Sequence, residues 1–256
     1  MKPPNKIDSV DKWFITTKIR PHARVRLFCF PYAGGAASIY RQWPSLLPPE
    51  VEVTAIELPG RGMRLAEPAF RSVATLVDQL TEVLIPRIDG EFAFFGHSMG
   101  AVIAFELARE FHRRGKPAPR WIFVSGRGAP HVHRTDPPIY DLPAPEFVNA
   151  LGKLNGTPKE VLEHKELMDL MMPILRADFE LVQTYEYTPG APLDCPITVF
   201  GGLEDPEVPY DTLPAWKEQT AKSFKLHMLP GDHFFLRSAQ GMLLALLAAD
   251  LIRQSG

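Results

Sequence analysis

The stretch that decides the fold is "FFGHSMGAVIAFELA", which covers residues 94–108. An apolar run leads into Gly96-His97-Ser98-Met99-Gly100, and a segment with the apolar spacing of a helix follows it. The five residues fit Gly-x-Ser-x-Gly, a pattern in which the serine occupies a sharp strand-to-helix turn and the glycines let the neighbouring backbone approach. In this context the pattern predicts that Ser98 is a nucleophile at the edge of a sheet.

The rest of the chain alternates short apolar runs with helical patterns. The runs do not alternate polar and apolar residues, which indicates strands buried on both faces and therefore a mostly parallel sheet covered by helices. The sequence predicts an α/β fold with helices over residues 73–85 and 99–114, with Gly115 as the C-cap residue of the second helix. Strands are predicted in residues 25–32, 91–96, 120–126 and 196–202, in residues 51–62 with a Pro-Gly turn at the end, and at the start of residues 224–236.

One region, residues 130–188, shows no strand pattern and interrupts this alternation. We interpret residues 1–256 as a single domain and residues 130–188 as a helical lid inserted in it. A capping box with proline at the first helical position, Thr157-Pro158-Lys159-Glu160, precedes a helix with more apolar residues than one stripe needs. The alternative is a set of extra helices without lid function. As a lid, this region is expected to face substrate with Met168, Met171, Met172 and Phe179.

Composition and charge exclude several classes of function. The chain has 256 residues, 45% of them hydrophobic and 23% charged, which is ordinary for a globular protein. A formal charge of −2 gives no reason to expect nucleic acid or an anionic membrane as partner. The N-terminus lacks the apolar core of a signal peptide, so we expect a cytoplasmic protein. The two cysteines lie in or beside strand-like segments and read as core residues.

A serine nucleophile needs a base, and the base needs an orienting acid. In this architecture the expected chain order is serine, acid, histidine. Asp205 follows the strand "PITVFGG" and is the predicted acid, and His233 follows the strand in "FKLHMLPGDHFFL" and is the predicted base. Three other carboxylates compete with Asp205 for the role, namely Glu204, Glu207 and Asp211.

The oxyanion of an acyl-transfer intermediate requires two backbone N–H donors. Met99, at the predicted helix N-terminus, supplies one. The loop "PYAGGAAS" after the first core strand supplies the second; Ala33 is the predicted donor, and Tyr32 and Gly34 are the alternatives. The loop lacks the lysine of a phosphate-binding loop, and the spacing of His, Cys and acidic residues suggests no metal site.

Several of these segments together resemble a known family. "FPYAGG", "ELPGRGMR", "FFGHSMGA", "LMMPILRADF", "GGLEDPEV" and "GDHFFL" are similar to the type II thioesterases, stand-alone α/β-hydrolases that accompany polyketide synthases and non-ribosomal peptide synthetases. The resemblance runs over residues 26–251. It maps the family's catalytic serine, aspartate and histidine onto Ser98, Asp205 and His233.

The resemblance implies hydrolysis of acyl thioesters on phosphopantetheinyl carrier proteins, which removes stalled or misprimed acyl groups. It implies no cofactor of the protein's own, since the acyl group is carried on the 4'-phosphopantetheine of a partner acyl or peptidyl carrier protein. We expect a monomer. Near strand ends, Arg61, Arg64 and Arg127 are candidates to contact the phosphate or an acidic carrier surface, the alternative being that they are simply solvated.

Three other functions use the same residues or fold. A small-molecule carboxylesterase or lipase has the same triad, and so has a thioesterase that releases or cyclises a finished product. A binding module on the same fold would not need all three catalytic groups. The sequence alone does not separate the first two from the editing thioesterase.

Overall fold

The computed structural model of the protein describes residues 12–132, 137–154, 156 and 159–252. In this part of the chain seven strands form one sheet in the order β1-β3-β2-β4-β5-β6-β7. Strand β1 is antiparallel to β3, and all the other neighbours are parallel. The strands are β1 (Phe14–Ile15), β2 (Val25–Phe30), β3 (Val51–Ile56), β4 (Glu91–His97), β5 (Trp121–Ser125), β6 (Ile197–Gly202) and β7 (Phe224–Leu229).

Helices cover both faces of the sheet, as the non-alternating strands predict. Two separate apolar clusters fill the space between sheet and helices. Helices α2 and α3 pack in the first cluster, and α1 and α8 pack in the second. The α-helices of the described chain are α1 (Trp43–Leu46), α2 (Val73–Leu84), α3 (Met99–Arg113), α4 (Ala144–Lys153), α5 (Lys159–Leu162), α6 (Lys165–Gln183), α7 (Phe235–Ser238) and α8 (Gln240–Ile252). This is an α/β-hydrolase architecture, and the fold class predicted from the sequence is confirmed.

The helix predictions agree with the structure to within a residue at each end. Helix α2 spans Val73–Leu84 and α3 spans Met99–Arg113. After α3, Gly115 has a φ of +61°, the left-handed conformation that glycine adopts at helix C-termini. The amide N–H of Lys116 then donates to the carbonyl of Phe111 at 2.8 Å, which satisfies a carbonyl that the helix leaves without an internal partner.

The segment between β5 and β6 is helical in its described part and has an apolar cluster of its own. Phe147 and Leu151 of α4 pack there with Met168 and Leu175 of α6. The predicted capping box cannot be compared, because Thr157 and Pro158 lie outside the described residues. The single helix expected after it is divided into α5 and α6. Helix α6 begins after His164, whose side chain accepts a hydrogen bond from Leu167 N–H.

The parallel arrangement brings the carboxyl ends of β2, β4, β6 and β7 to one edge of the sheet. The loops that follow these strands are therefore neighbours in space although they are far apart in sequence. In open α/β sheets this edge is where ligands bind. Within the described residues, none of the helices combines the length and apolarity needed to cross a bilayer.

Candidate active site

Ser98 lies between the last residue of β4 and the first residue of α3, and its backbone is strained. Its φ of +53° and ψ of −111° make it the one non-glycine residue with positive φ in the described part of the chain. A β-carbon on Gly96 would lie 2.0 Å from the carbonyl oxygen of Gly100, and one on Gly100 would lie 2.2 Å from that of Phe30. The turn therefore requires glycine at both positions, which is the physical basis of the Gly-x-Ser-x-Gly pattern.

Asp205 and His233 meet at the same edge of the sheet. Asp205 follows β6 and His233 follows β7. The Nδ1 atom of His233 lies 2.8 Å from Oδ2 of Asp205, and both side chains are buried. The other carboxylate oxygen of Asp205 accepts the backbone N–H of Glu207 at 2.8 Å. A carboxylate held in this way fixes the ring orientation of the histidine and leaves Nε2 for proton transfer.

The competing acids have other environments. Glu204 and Asp211 are exposed on the surface. Glu207 is nearer, with its Oε2 atom 4.0 Å from Nε2 of His233, on the opposite ring nitrogen from Asp205. Asp232 accepts the backbone N–H of Phe234 at 2.9 Å and closes the turn beside the histidine. The geometry thus favours Asp205 as the acid, in agreement with the expected chain order.

The ring of His97 packs against the ring of His233, a contact that the sequence did not suggest. It is fully buried, its Nδ1 atom lies 2.9 Å from Oγ of Ser125, and its ring centroid is 5.0 Å from that of His233. Burial, together with the nearby charge of His233, holds the pKa of His97 well below its usual value of 6.5. A neutral ring therefore packs against the predicted base, and the ring of Tyr32 also packs against His97, at a centroid distance of 5.8 Å.

The two predicted oxyanion donors also lie at this edge. Met99 is the first residue of α3, and Ala33 lies in the loop after β2. Gly34, an alternative to Ala33, already donates its backbone N–H to Oδ2 of Asp178 at 2.7 Å. Because its N–H is already donated to Asp178, Gly34 is excluded as the second oxyanion donor, and Ala33 and Tyr32 remain as the predicted candidates.

Asp178 is the residue near the site that sequence reasoning missed. It lies in α6 within an otherwise apolar face, since Ile174, Leu175 and Leu181 are buried with it. Its partner is Arg61, whose Nη2 atom is 2.7 Å from Oδ1 of Asp178. An acidic residue at helical spacing from buried aliphatic residues was the available signal, because a buried carboxylate needs a partner.

The three predicted carrier-contacting arginines are all buried. Arg61 is paired with Asp178, and the Arg64 guanidinium lies 3.8 Å from the ring centroid of Trp13 and donates to Glu67 at 2.6 Å. The carbonyl of Arg127 accepts a hydrogen bond from Trp216 Nε1 at 2.8 Å. Burial argues against the predicted contact, because a charge enclosed in the protein is not presented to a partner's surface. The alternative that these arginines are solvated fails for the same reason.

The four residues predicted to face substrate all belong to the apolar cluster of α4–α6. Met168 is buried in it, while Met171, Met172 and Phe179 are partly exposed and pack against it. The ring of Phe179 meets that of Phe147 edge-on at 5.9 Å. Of the surplus apolar residues in α6, Leu167 and Leu170 reach the surface. In the described residues no group of three or more His, Cys, Asp or Glu side chains has the geometry of a metal site.

A mostly parallel sheet with a serine at the strand-to-helix turn, and an acid-paired histidine at the same edge, defines a serine hydrolase of the α/β-hydrolase class. Comparison with known proteins narrows the class. Residues 25–251 match the thioesterase domain family. The chain belongs to the thioesterase family and is a thioester hydrolase.

Named relatives and a solved structure support this membership. The chain is 43% identical to the linear gramicidin dehydrogenase LgrE of Brevibacillus parabrevis over 95% of this chain and 94% of that protein. It is 43% identical to the gramicidin S biosynthesis protein GrsT of Aneurinibacillus migulanus over 96% of each. The type II thioesterase BorB from the borrelidin biosynthetic cluster superposes with a TM-score of 0.86 at 37% identity, over 94% of this chain and 98% of that one.

Proposed function

We propose that the protein hydrolyses acyl thioesters on the phosphopantetheine arm of carrier proteins, and so removes stalled or misprimed acyl groups during polyketide or non-ribosomal peptide synthesis. Similarity to GrsT and to the type II thioesterase BorB supports this context. We propose further that it acts as a monomer in the cytoplasm, with no cofactor of its own, since the acyl group arrives on the carrier. Residues 130–188 are proposed to act as a lid over the acyl chain, within one domain over residues 1–256.

The observation that carries the proposal is the Asp205–His233 hydrogen bond of 2.8 Å at the edge of the sheet where Ser98 occupies its strained turn. Serine is a weak nucleophile at neutral pH and depends on a base to remove its proton. We assign Ser98 as nucleophile, His233 as general base and acid, and Asp205 as the group that orients His233. Met99 and Ala33 are assigned as the backbone donors to the oxyanion.

In the acylation step, Oγ of Ser98 attacks the thioester carbonyl carbon while Nε2 of His233 takes the hydroxyl proton. The carbonyl oxygen becomes an oxyanion, which the N–H groups of Met99 and Ala33 stabilise. The tetrahedral intermediate then breaks its C–S bond. The pantetheine thiolate leaves, takes the proton from His233 and departs with the carrier protein, and the acyl group remains esterified to Ser98.

In the deacylation step, a water molecule attacks the ester carbonyl while His233 removes its proton. The second tetrahedral intermediate breaks the bond to Ser98 Oγ, and the proton returns from His233 to the serine. The products are a free carboxylic acid and the unmodified enzyme. Each step begins and ends with a neutral His233, so one histidine serves both halves of the reaction.

The proposal is tested with a panel of acyl-carrier proteins that differ in chain length, assayed beside the matching nitrophenyl esters. We expect higher kcat/KM for the acyl-carrier proteins, loss of nearly all turnover in Ser98→Ala, and wild-type turnover in Ser45→Ala, which alters an exposed serine. Asp205→Asn is expected to lower kcat by about 10³- to 10⁴-fold. Glu207→Gln is the matched change on the competing acid and is expected to lower it by less than about tenfold.

Two results would replace the proposal. Strong preference for the nitrophenyl ester, with acyl-carrier protein untouched, would identify a small-molecule esterase on the same fold. Consumption of a reduced nicotinamide cofactor during turnover would support the redox activity in the name of the relative LgrE. The sequence contains no Gly-x-Gly-x-x-Gly segment after a strand, so the dinucleotide-binding signature that such an activity uses is absent.

A further inference from the structure

A buried ion pair joins α6 to the loops at the active edge of the sheet. Nη1 of Arg61 lies 3.0 Å from Oδ2 of Asp178, and Nη2 lies 2.7 Å from Oδ1, so the pair is bidentate. The exposed fractions of the two side chains are 6% and 2%. The residues are 117 positions apart in sequence.

Stability alone is a weak reason for such a pair. Removing two charges from water costs several kcal/mol per ion, and apolar residues of similar volume are often as stable in the same place. A bidentate arginine–carboxylate pair does fix geometry, because both groups are planar and share two hydrogen bonds. The remaining hydrogen bonds of the pair show which part of the protein is fixed.

The pair clamps two consecutive residues of the loop after β2. Asp178 accepts the backbone N–H of Gly34 at 2.7 Å, and Nη1 of Arg61 donates to the carbonyl of Gly35 at 2.8 Å. Leu175, one turn before Asp178, packs closely against the same loop. A β-carbon on Gly34, whose φ is +74°, would lie 2.6 Å from Cδ2 of Leu175.

This clamp determines the direction of the Ala33 N–H. The backbone N–H of Gly35 donates to the carbonyl of Tyr32 at 2.9 Å. That carbonyl and the Ala33 N–H belong to one peptide unit, which is planar and trans, so the two groups point in opposite directions. Because Arg61 holds Gly35, and Gly35 holds the Tyr32 carbonyl, the orientation of the Ala33 donor depends on the ion pair.

We propose that Asp178 and Arg61 are positioning residues that aim the Ala33 N–H at the oxyanion, so that α6 and the oxyanion site form one unit. The inference rests on the proposed function, since it takes Ala33 as an oxyanion donor in thioester hydrolysis. An oxyanion exists in the transition state and not in the bound substrate. Loosening the clamp should therefore lower kcat and leave KM nearly unchanged.

The test compares variants that differ in whether residue 178 can still accept the hydrogen bond from the Gly34 N–H. In Asp178→Asn the side-chain oxygen can still accept the Gly34 N–H, although the charge is lost. The double variant Asp178→Leu with Arg61→Met removes both charges, and so leaves neither ion unpaired in the interior. Asp250→Asn is the matched control, because Asp250 is a buried carboxylate paired with Lys225 and lies in α8.

Each variant is assayed with acyl-pantetheine as substrate, and rates are divided by the concentration of sites that a fluorophosphonate labels. Binding is measured for an alkylboronic acid, which forms a tetrahedral adduct with Ser98 and places an oxygen where the oxyanion forms, and for the carboxylic acid product, which does not. Thermal unfolding is recorded for every variant, so that loss of stability and loss of transition-state binding are seen separately.

We expect the double variant to lose about 10- to 100-fold in kcat and to bind the boronic acid more weakly by the same factor, with KM and product binding within threefold of wild type. Asp178→Asn should fall between the double variant and wild type. Asp250→Asn should lower the unfolding temperature without changing kcat or boronic acid binding.

The inference is overturned if the double variant is less stable but keeps kcat and boronic acid affinity within twofold of wild type, since the pair is then structural alone. Failure of the wild type to react with fluorophosphonate or to hydrolyse any acyl thioester would instead refute the proposed function. If the double variant yields no folded protein, Arg61→Lys is measured in the same way, because one ammonium group cannot hold both Asp178 oxygens and the Gly35 carbonyl at once.

Discussion

Ser98 shows how a single strained residue is held in place by its neighbours. A non-glycine residue in this region of φ/ψ space costs about 1–3 kcal/mol, which the surrounding structure must offset. The backbone N–H of Ser98 donates to the carbonyl of Ser125 at 2.8 Å, and its own carbonyl accepts the N–H of Ala101 at 3.1 Å. Hydrogen bonds to strand β5 and to helix α3 thus both hold Ser98 at the turn.

The glycines that flank Ser98 are expected to be intolerant of any side chain. Gly96→Ala would place a methyl group 2.0 Å from the Gly100 carbonyl, within backbone that cannot yield without displacing the turn. We expect a loss of at least about 2–3 kcal/mol in the free energy of unfolding, measured by urea denaturation. Gly90→Ala is the control, because its β-carbon has no heavy atom within 4 Å. Equal stability of the two variants would contradict this account of the elbow.

His97 is expected to make the folded protein sensitive to acid. The pKa of its buried ring is well below 6.5, whereas the unfolded chain has the ordinary value of about 6.5. Above that pH neither state binds a proton at this ring. As the pH falls below about 6.5 the unfolded state takes up a proton and the folded state does not, so stability decreases, by at most about 1.4 kcal/mol per pH unit.

The effect of His97 is measured by urea unfolding of wild type and His97→Asn at pH 8 and pH 5. Asparagine can keep a hydrogen bond to Ser125 but does not titrate. We expect the wild type to lose more stability than the variant between the two pH values, by about 1–2 kcal/mol. Since all other groups are common to both proteins, equal losses would show that His97 does not titrate on unfolding in this range.

At the scale of elements, the helices between β5 and β6 differ from the other helices in where they bury their apolar faces. Their cluster, centred on Phe147, Leu151, Met168 and Leu175, is separate from the two clusters that flank the sheet. Asp178 and Leu175 of α6 nevertheless contact the loop after β2. We infer that the middle of α6 is fixed to the sheet edge, while α4 depends mainly on the small cluster.

Truncation of Phe147 is expected to open these helices without unfolding the sheet. Its side chain is fully buried, meets Phe179 edge-on and lies 4.5 Å below the Arg176 guanidinium. Phe147→Ala should cost about 3–5 kcal/mol locally. We expect faster proteolysis and hydrogen exchange in residues 144–183, with a small change in the global unfolding temperature.

Phe111→Ala provides the comparison for the Phe147 variant, because Phe111 is an equally buried phenylalanine in a cluster beside the sheet. Truncation of the Phe111 side chain should lower the global unfolding temperature. Proteolysis of residues 144–183 should then occur only when the whole protein unfolds. If both variants shift the global unfolding temperature by the same amount, the helices of residues 144–183 and the sheet unfold together. The apolar cluster of α4–α6 would then not unfold independently of the sheet.

At the scale of the whole molecule, both cysteines are enclosed by the core. Burial raises the pKa of Cys29 well above its usual range and raises that of Cys195 to about 12. A buried thiol is neither an effective nucleophile nor accessible to reagents. We expect native protein to keep full thioesterase activity after treatment with iodoacetamide, and both cysteines to react once urea unfolds it. Rapid inactivation of the native protein, with carboxamidomethyl groups found on either cysteine, would show that the thiol is accessible in the folded state and would contradict its burial.

Much of the architecture could be predicted from the sequence because its signals are local. Six of the seven described strands and the helices α2 and α3 follow from apolar runs and periodicity, and Gly115 marks the end of α3, whereas the two-residue strand β1 was not predicted. The order of Ser98, Asp205 and His233 along the chain agrees with the places the structure gives them. The environment of the charged residues could not be predicted in this way: Arg61 and Arg64 were expected to contact a carrier protein, and both side chains are buried.

The sequence by itself determined the elbow, because Gly-x-Ser-x-Gly between a buried strand and a helix meets a steric requirement that arises within five residues. It also determined that an acid and a histidine follow later strands. The tertiary structure alone decided which distant groups meet: Asp178 with Gly34, 144 residues away, and His97 with His233. The physical reason is that periodicity and chirality act along neighbouring residues, whereas the partner of a buried charge or ring depends on which loops the completed sheet brings to one edge.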